Sequence, residues 1–252
     1  ISRGCPQGGV LSPFLWNLTL NNLLENQNLD PTFVQAFADD LSILIGGIDI
    51  PTLRAKCQLY LNIINRWCKT IGVKLSTVKT TTIMFTRKRK WTLDKPLRIE
   101  GQTLTLETTV RYLGVTLDSK LNWIPHIDTI CNKAITNLHT AKSYCSKTWG
   151  LRPFYMRWIY TQIIQPGIKH GSVVWIHRLD NNCSLRKKLT QVQRSALLLI
   201  TGAFNTTPTD FLEILAGLLP LDLSIKQHAL LSSLRLRSTH NWMPGNTVGK
   251  LQ

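Results

Sequence analysis

Two short apolar stretches meet at a pair of adjacent aspartates, Asp39 and Asp40. Apolar side chains alternate on each side of the pair, which predicts two short β-strands joined by a turn that carries the carboxylates. The alternating residues are Val34, Ala36 and Ala38 before the pair, and Leu41, Ile43 and Ile45 after it. Neighbouring carboxylates repel each other unless a cation or a hydrogen-bond donor offsets their charge, and Mg²⁺ prefers oxygen ligands. The turn is therefore either a metal site or an ordinary solvated hairpin tip, where aspartate is common.

A glycine-containing loop precedes this pair and is predicted to lead into a helix. Gly8 and Gly9 have no side chain, so a nucleotide or a nucleic-acid backbone can approach the main chain closely there. The alternative is an ordinary glycine loop. Ser12 suits a helix cap, and Pro13 suits a first helical position. The apolar residues that follow recur at helical spacing: Trp16, Leu20, Leu23 and Leu24.

The chain is strongly basic, with 30 lysines and arginines against 14 aspartates and glutamates and a net charge of +16. Nucleic acid is the obvious polyanion for such a charge, and binding through it weakens steeply as salt rises. An anionic membrane surface is the competing partner. However, no apolar run approaches the ~20 residues needed to cross a bilayer, and no signal sequence opens the chain. We therefore expect nucleic-acid partners, no membrane, and an intracellular location in the nucleus, the cytoplasm or both.

Hydrophobic periodicity predicts an α+β part followed by a helical part. The predicted elements are a helix over residues 52–71 that stops at Gly72, strands over 73–75 and 81–85, and helices from Trp123, over 153–165 and over 185–200. Six cysteines are scattered without C-x-x-C pairs, which argues against a zinc site and against a disulfide framework. The predicted fold class is α+β.

Four motifs follow one another along the chain: Gly4-Cys5-Pro6-Gln7-Gly8 through Leu15-Trp16-Asn17, Phe37 to Asp40, Lys79-Thr80, and Tyr112-Leu113-Gly114-Val115. In this order they resemble the reverse transcriptases of non-LTR retrotransposons, especially the jockey-like elements of animals. The resemblance covers nearly the whole chain. It implies an RNA-directed DNA polymerase, in which the primer 3′ hydroxyl attacks the α-phosphate of a deoxynucleoside triphosphate and pyrophosphate leaves.

The resemblance also implies a domain organisation. Residues 1–118 would form a partial polymerase palm, an antiparallel sheet with packed helices. Residues 119–240 would form a mostly helical thumb and connector, and residues 241–252 a linker-like tail. A group II intron-like maturase is a more distant alternative, which the segment after Gln191 fits poorly.

Each motif has a role that the resemblance implies. Asp39 and Asp40 are the expected catalytic carboxylates and the ligands of Mg²⁺, or of Mn²⁺. Lys79 is expected near the phosphates of the incoming nucleotide, and is otherwise a solvated lysine at a strand end. The residues expected to line the nucleotide and template pocket are Pro6, Gln7, Gly8 and Phe37. The residues expected to steady the primer are Tyr112, Leu113 and Gly114, which would equally suit an ordinary β-turn.

A basic run precedes Trp91 and consists of Arg87, Lys88, Arg89 and Lys90. Charge runs usually mark solvated loops, but a basic loop beside a tryptophan can hold phosphate and stack a base. We expect this loop to contact nucleic-acid phosphates.

The chain opens just before the Pro6 loop, whereas the family's fingers and the palm strand with its first catalytic aspartate lie upstream. We therefore expect the fragment to be inactive alone, with the upstream fingers and palm portion of the same polyprotein as a partner. Other expected partners are an RNA template, a DNA primer, deoxynucleoside triphosphates and a downstream ribonuclease H domain. The alternative function is that of a non-enzymatic, basic, nucleic-acid-binding remnant of a transposon.

Overall fold

The computed structural model describes residues 6, 8–25, 32–86, 88–89, 91–144, 150–180 and 182–239. The chain divides into two compact units, residues 1–108 and residues 109–252. Both contain helices and small sheets, which agrees with the expected α+β class. The strand Val115–Asp118 packs on the helix Ile124–Lys142 within the second unit. The expected palm boundary after residue 118 stays a prediction. The predicted tail over 241–252 lies outside the described residues.

The described part of the first unit contains α1 (Ser12–Glu25), β1 (Thr32–Phe37), β2 (Asp40–Ile45), α2 (Ile50–Ile71), β3 (Thr81–Ile83), β4 (Arg98–Ile99), β5 (Gln102–Thr103) and β6 (Thr105–Glu107). β1 and β2 form an antiparallel hairpin, as do β4 and β5, whereas β3 and β6 pair in parallel. Instead of the expected single antiparallel sheet, the described strands form separate two-stranded sheets. The connection between β3 and β6 holds the β4–β5 hairpin, and such a long crossover permits parallel pairing.

Helix α2 lies close to its predicted bounds. The Asp49 carboxylate accepts a hydrogen bond from the Thr52 backbone N–H at 2.8 Å and so caps the helix. Gly72 ends it in the left-handed conformation, at φ 78°. Two small cores form beside α2, one around Leu23, Ile64 and Cys68 and the other around Leu97, Ile99 and Leu104.

The strand predicted over residues 73–75 is wrong, since that segment is irregular, and the strand predicted over 81–85 is limited to β3. Between α2 and β3 the chain makes a tight turn, in which the Thr80 backbone N–H donates to the Ser76 carbonyl at 3.0 Å. This turn satisfies backbone groups locally, and in the described chain no strand pairs with residues 73–75.

The described part of the second unit contains β7 (Thr109–Tyr112), β8 (Val115–Asp118), α3 (Ile124–Lys142), α4 (Pro153–Ile159), α5 (Gln165–Lys169), α6 (Ser172–Trp175), α7 (His177–Asp180), α8 (Cys183–Thr201), α9 (Thr209–Ala216) and α10 (Leu221–Ser238). β7 and β8 form an antiparallel hairpin. One large core joins side chains of α3, α4, α5, α6, α8 and α10, and includes the fully buried Trp175. Helix α8 covers the helix predicted over residues 185–200 and is capped by Gly202.

The helical path predicted over residues 153–165 instead continues past Pro166 to Lys169. A proline inside a helix lacks the N–H of the usual backbone bond, and its ring crowds the preceding turn. A π-helical turn, Tyr160–Ile164, joins α4 to α5 just before Pro166. Its wider backbone gives the proline ring room, so the helical path continues.

Across the described residues, no single helix is both long and apolar enough to span a membrane. Helices α9 and α10 meet that criterion together by length and composition, but they are bent by 54° where they join.

Candidate functional site

Asp39 and Asp40 lie at the tip of the β1–β2 hairpin, as predicted. Phe37 pairs with Asp40 in the register of the strands, so Ala38 and Asp39 form a two-residue turn. Ala38 has φ +53°, a left-handed conformation that is unfavourable for a residue with a side chain. Both aspartates are exposed, and within the described chain neither forms an ion pair with a lysine or arginine. Backbone strain beside two free carboxylates is typical of a functional turn.

Trp16 on α1 holds this turn in place. Its indole Nε1–H donates a hydrogen bond to the Ala38 carbonyl oxygen at 2.7 Å. The bond therefore fixes the backbone next to Asp39 to a helix. The sequence pattern did not identify this role, because helical spacing marks Trp16 only as an apolar residue and says nothing about where its N–H points.

The glycine loop is attached to the start of the same helix. The Ser12 hydroxyl donates to the Pro6 carbonyl at 2.6 Å, and the Gly9 backbone N–H donates to the same oxygen at 3.2 Å. Ser12 is thus the first helical residue and closes the loop, whereas the sequence predicted a cap. A Cβ on Gly9 would lie 2.6 Å from Ser12 Oγ, and Gly8 has φ +83°, so both positions favour glycine.

Helix α1 therefore connects the first two motifs. Ser12, which holds the loop, and Trp16, which holds the turn, are about one helical turn apart, or ~6 Å along the axis. Gly8 is exposed, and Phe37 at the end of β1 is 60% exposed. Gln7 lies outside the described residues.

Lys79 is exposed in the turn before β3. In the part of the chain that the structure describes, no hydrogen bond or ion pair joins it to Asp39 or Asp40. Lys88 and Arg89 are exposed in the irregular segment after β3, and the Lys88 backbone N–H donates to the Thr86 hydroxyl at 3.2 Å. Arg87 and Lys90 lie outside the described residues.

The Tyr112 motif forms the turn of the β7–β8 hairpin in the second unit. Tyr112 pairs with Val115, so Leu113 and Gly114 are the two turn residues, with φ of +46° and +85°. Positive φ at both positions is the geometry of the tight hairpin turn in which asparagine and glycine are preferred. Leucine at the first position is therefore unusual.

Two histidines attach this hairpin to the helices. His170 Nε2 lies 3.0 Å from the Leu113 carbonyl oxygen, and a Cβ on Gly114 would lie 3.1 Å from the same nitrogen. The buried His126 Nδ1 accepts a hydrogen bond from the Thr116 backbone N–H at 3.2 Å. Burial, and then the nearby His170, lower the pKa of His126, which favours the neutral ring needed for that acceptor role. Neither histidine was identified from the sequence, because the His170 contact spans 57 residues and leaves no local pattern.

The described residues contain no cluster of three or more histidine, cysteine, aspartate or glutamate side chains that could hold a metal ion. Asp39 and Asp40 are thus a pair without a third metal-ligating side chain beside them in that part of the chain.

The reverse transcriptase (RNA-dependent DNA polymerase) family matches residues 1–117. The whole chain is 28% identical to a putative 115 kDa protein in the type-1 retrotransposable element R1DM of Drosophila melanogaster, over 255 aligned positions that cover 24% of that protein. It is 26% identical to a retrovirus-related Pol polyprotein from the R1 element of Nasonia vitripennis, covering 87% of the chain and 66% of the relative.

A third relative is a probable RNA-directed DNA polymerase from transposon BS of Drosophila melanogaster, 24% identical over 94% of the chain and 26% of the relative. No solved structure matches. The resemblance to non-LTR retrotransposon reverse transcriptases is confirmed, with residues 1–117 matching the reverse transcriptase family. The chain spans about a quarter of the first two relatives, 24% and 23% of their lengths.

Proposed function

We propose that this chain supplies the carboxylate turn and the nucleotide and template loop of an RNA-directed DNA polymerase. The observation that carries the proposal is the double attachment of helix α1. Ser12 holds the Pro6 loop, and Trp16 holds the backbone between Phe37 and Asp39. Two motifs that are separate in the sequence are thus fixed to one rigid element, as a preorganised polymerising site requires.

The two aspartates suit Mg²⁺ or Mn²⁺ as ligands. They are exposed and without an ion-pair partner in the described chain, although the net charge of the protein is +16. Hard divalent ions take carboxylate oxygens and keep several other oxygen ligands, which nucleotide phosphates and water supply in polymerase sites. When bound, such ions activate the attacking hydroxyl and neutralise charge on the leaving group. The role of Asp39 and Asp40 would be to hold the divalent ions at the hairpin tip.

The other motifs are proposed to bind the polymer and the nucleotide. Pro6, Gln7, Gly8 and Phe37 would line the nucleotide and template pocket, and Lys79 would place positive charge near the phosphates. Tyr112, Leu113 and Gly114 would steady the primer from a turn that His170 holds. Arg87, Lys88, Arg89 and Lys90 would contact phosphates of the strand.

The alternative is a basic protein that binds nucleic acid without catalysis. One observation favours it: the described residues offer two adjacent carboxylates and no third metal-ligating side chain near them. Binding would then depend on phosphate contacts alone and would not respond to divalent ions through Asp39.

The distinguishing experiment measures the affinity for an RNA-template and DNA-primer duplex with a matching deoxynucleotide, with and without Mg²⁺. We expect Mg²⁺ to strengthen nucleotide binding in the native chain and to have no such effect on Asp39→Asn. The control is Asp94→Asn, an exposed aspartate of the same unit away from the hairpin tip in sequence. An equal Mg²⁺ response in all three proteins would contradict the polymerase proposal and favour the non-catalytic alternative.

A further inference from the structure

Helix α4 exposes three aromatic side chains to solvent. Phe154 is 70% exposed, Tyr155 52% and Trp158 53%. Phe154 and Trp158 are four residues apart and so lie one above the other on the same helix face, with Tyr155 beside them. The Phe154 and Tyr155 rings meet edge to face, with centroids 5.6 Å apart. We call these three residues the α4 aromatic surface.

The opposite face of α4 is firmly packed. Met156 is buried in the large core of the second unit. Arg157 donates from Nε to the Ala216 carbonyl at 2.7 Å and from Nη2 to the Gly217 carbonyl at 3.2 Å, which ties α4 to the end of α9. The helix that carries the aromatic rings is therefore held in place before a ligand binds. Stacking on these rings costs little conformational entropy of the protein.

The stretch of sequence that contains this surface carries charge of one sign. Residues 129–179, which include α4, contain seven lysines and arginines and neither aspartate nor glutamate. The second unit as a whole carries 17 lysines and arginines against six aspartates and glutamates. Arg152 directly precedes α4. A polyanion would meet no acidic side chain from this segment.

Other exposed apolar residues of the second unit have a different character. Helices α9 and α10 expose mainly aliphatic side chains such as Ile214 and Leu230, with Phe211 as an exposed aromatic on α9, and each helix has an aspartate in its first turn. Aliphatic side chains offer no flat ring for a base. Among the described helices of this unit, α4 combines three exposed rings with a stretch of sequence free of aspartate and glutamate, and that combination suits nucleobases on a phosphate backbone.

We propose that the α4 aromatic surface binds an unpaired stretch of nucleic acid by stacking its bases on Phe154, Tyr155 and Trp158, while neighbouring basic residues contact its phosphates. This inference rests on the proposed function, in which the protein handles a template and a primer. It adds a site for the unpaired strand that is made of residues other than those of the four motifs and the basic run before Trp91.

The test measures binding of the full chain to a short labelled single-stranded RNA and to a blunt duplex, over a range of salt concentrations. In the double variant Phe154→Ala with Trp158→Ala, affinity for the single strand should fall about tenfold or more, because stacking contributes strongly for each base. Duplex affinity and the salt dependence should stay unchanged. A fluorescent adenine analogue in the RNA should be quenched by the native protein and not by this variant.

Two controls separate stacking from a general structural effect. Phe154→Tyr with Trp158→Tyr keeps the rings and should keep single-strand binding. Phe204→Ala removes an aromatic side chain that is 85% exposed in the segment between α8 and α9, and should have no effect.

Unchanged single-strand affinity in the double alanine variant overturns this inference and leaves the proposed function standing, provided that the native chain binds nucleic acid. Equal losses for single strand and duplex also overturn it. A native chain that binds neither ligand contradicts both proposals.

Discussion

At the scale of single residues, one indole N–H fixes the position of the carboxylate turn. Ala38 adopts a left-handed conformation that costs about 1–2 kcal/mol for a residue with a side chain. The bond from Trp16 to its carbonyl oxygen offsets part of that cost. A tryptophan in an apolar stripe thus acts through its one polar atom.

Trp16→Phe keeps an aromatic ring but removes this donor. We expect the free energy of unfolding of the first unit to fall by about 1 kcal/mol, measured by urea denaturation, because the Ala38 carbonyl loses its partner. The Mg²⁺ response of nucleotide binding should weaken as well. Trp67→Phe is the control, since Trp67 packs beside Leu23 and Ile64 and should affect stability alone. If Trp16→Phe matches the native chain in both measurements, the hydrogen bond from Trp16 does not hold the carboxylate turn in place.

The burial of the Cys131 thiol leads to a prediction about how stability depends on pH. Desolvation raises the pKa of Cys131 from 9.0 to about 11. Between those values the unfolded chain loses the thiol proton and the folded chain keeps it. The contribution of this thiol to the free energy of unfolding is therefore fully present below pH 9 and is lost as pH rises toward 11.

Cys131→Ala should remove that part of the pH dependence, which amounts to about 2–3 kcal/mol over the interval. Denaturant titrations at a series of alkaline pH values measure it. The matched control is Cys183→Ala, because Cys183 is exposed and its removal should leave the pH profile as it is. Parallel profiles for the native chain and Cys131→Ala would contradict the prediction.

At the scale of elements, two hairpins share one turn geometry but differ in their surroundings. Leu113 and Gly114 have φ of +46° and +85°, and Glu100 and Gly101 have φ of +50° and +80°. A Cβ on Gly101 would meet open space, whereas a Cβ on Gly114 would lie 3.1 Å from His170 Nε2. Backbone strain and side-chain crowding can therefore be separated by experiment.

Leu113→Asn should raise the stability of the second unit by about 0.5–1 kcal/mol, because asparagine tolerates the left-handed conformation and suits this turn. Gly114→Ala should lower the stability of the second unit by about 1–2 kcal/mol through backbone strain. A further loss should follow because the new Cβ forces His170 to move. Gly101→Ala is the matched control that carries strain alone. Chemical denaturation measures all three, and a smaller loss for Gly114→Ala than for Gly101→Ala would refute the role of the His170 contact.

At the scale of the whole molecule, the two units have cores of unequal size. In the described part of the first unit, two cores of three buried side chains each lie beside α2, whereas one large core joins most described helices of the second unit. Stability grows with the apolar area buried, so local opening should require less free energy in the first unit.

Limited trypsin digestion tests this difference, because lysines and arginines are spread through both units. We expect the first cleavages before residue 109 and a fragment containing α3 to α10 that persists. Hydrogen exchange should likewise show slower exchange in α3 and α8 than in α2. Equal cleavage rates and equal protection in the two units would count against the prediction.

Features whose causes lie within a few neighbouring residues could be predicted from the amino-acid sequence. The alternation around Asp39 predicted the β1–β2 hairpin, and helical spacing with Gly72 predicted α2 and its end. The order of the four motifs predicted the family. The spacing of apolar residues and the identity of capping residues depend on short stretches of sequence, so they can be recognised before any tertiary contact is known.

How these elements are joined depends on contacts between segments that are far apart in the chain. The Trp16 bond to Ala38 spans 22 residues and the His170 contact with Leu113 spans 57, and neither leaves a periodic pattern. The parallel pairing of β3 with β6 and the π-helical turn before Pro166 likewise differ from the local prediction. The physical reason is that a hydrogen bond between distant segments depends on where packing brings a donor and an acceptor together, and no single stretch of sequence contains both.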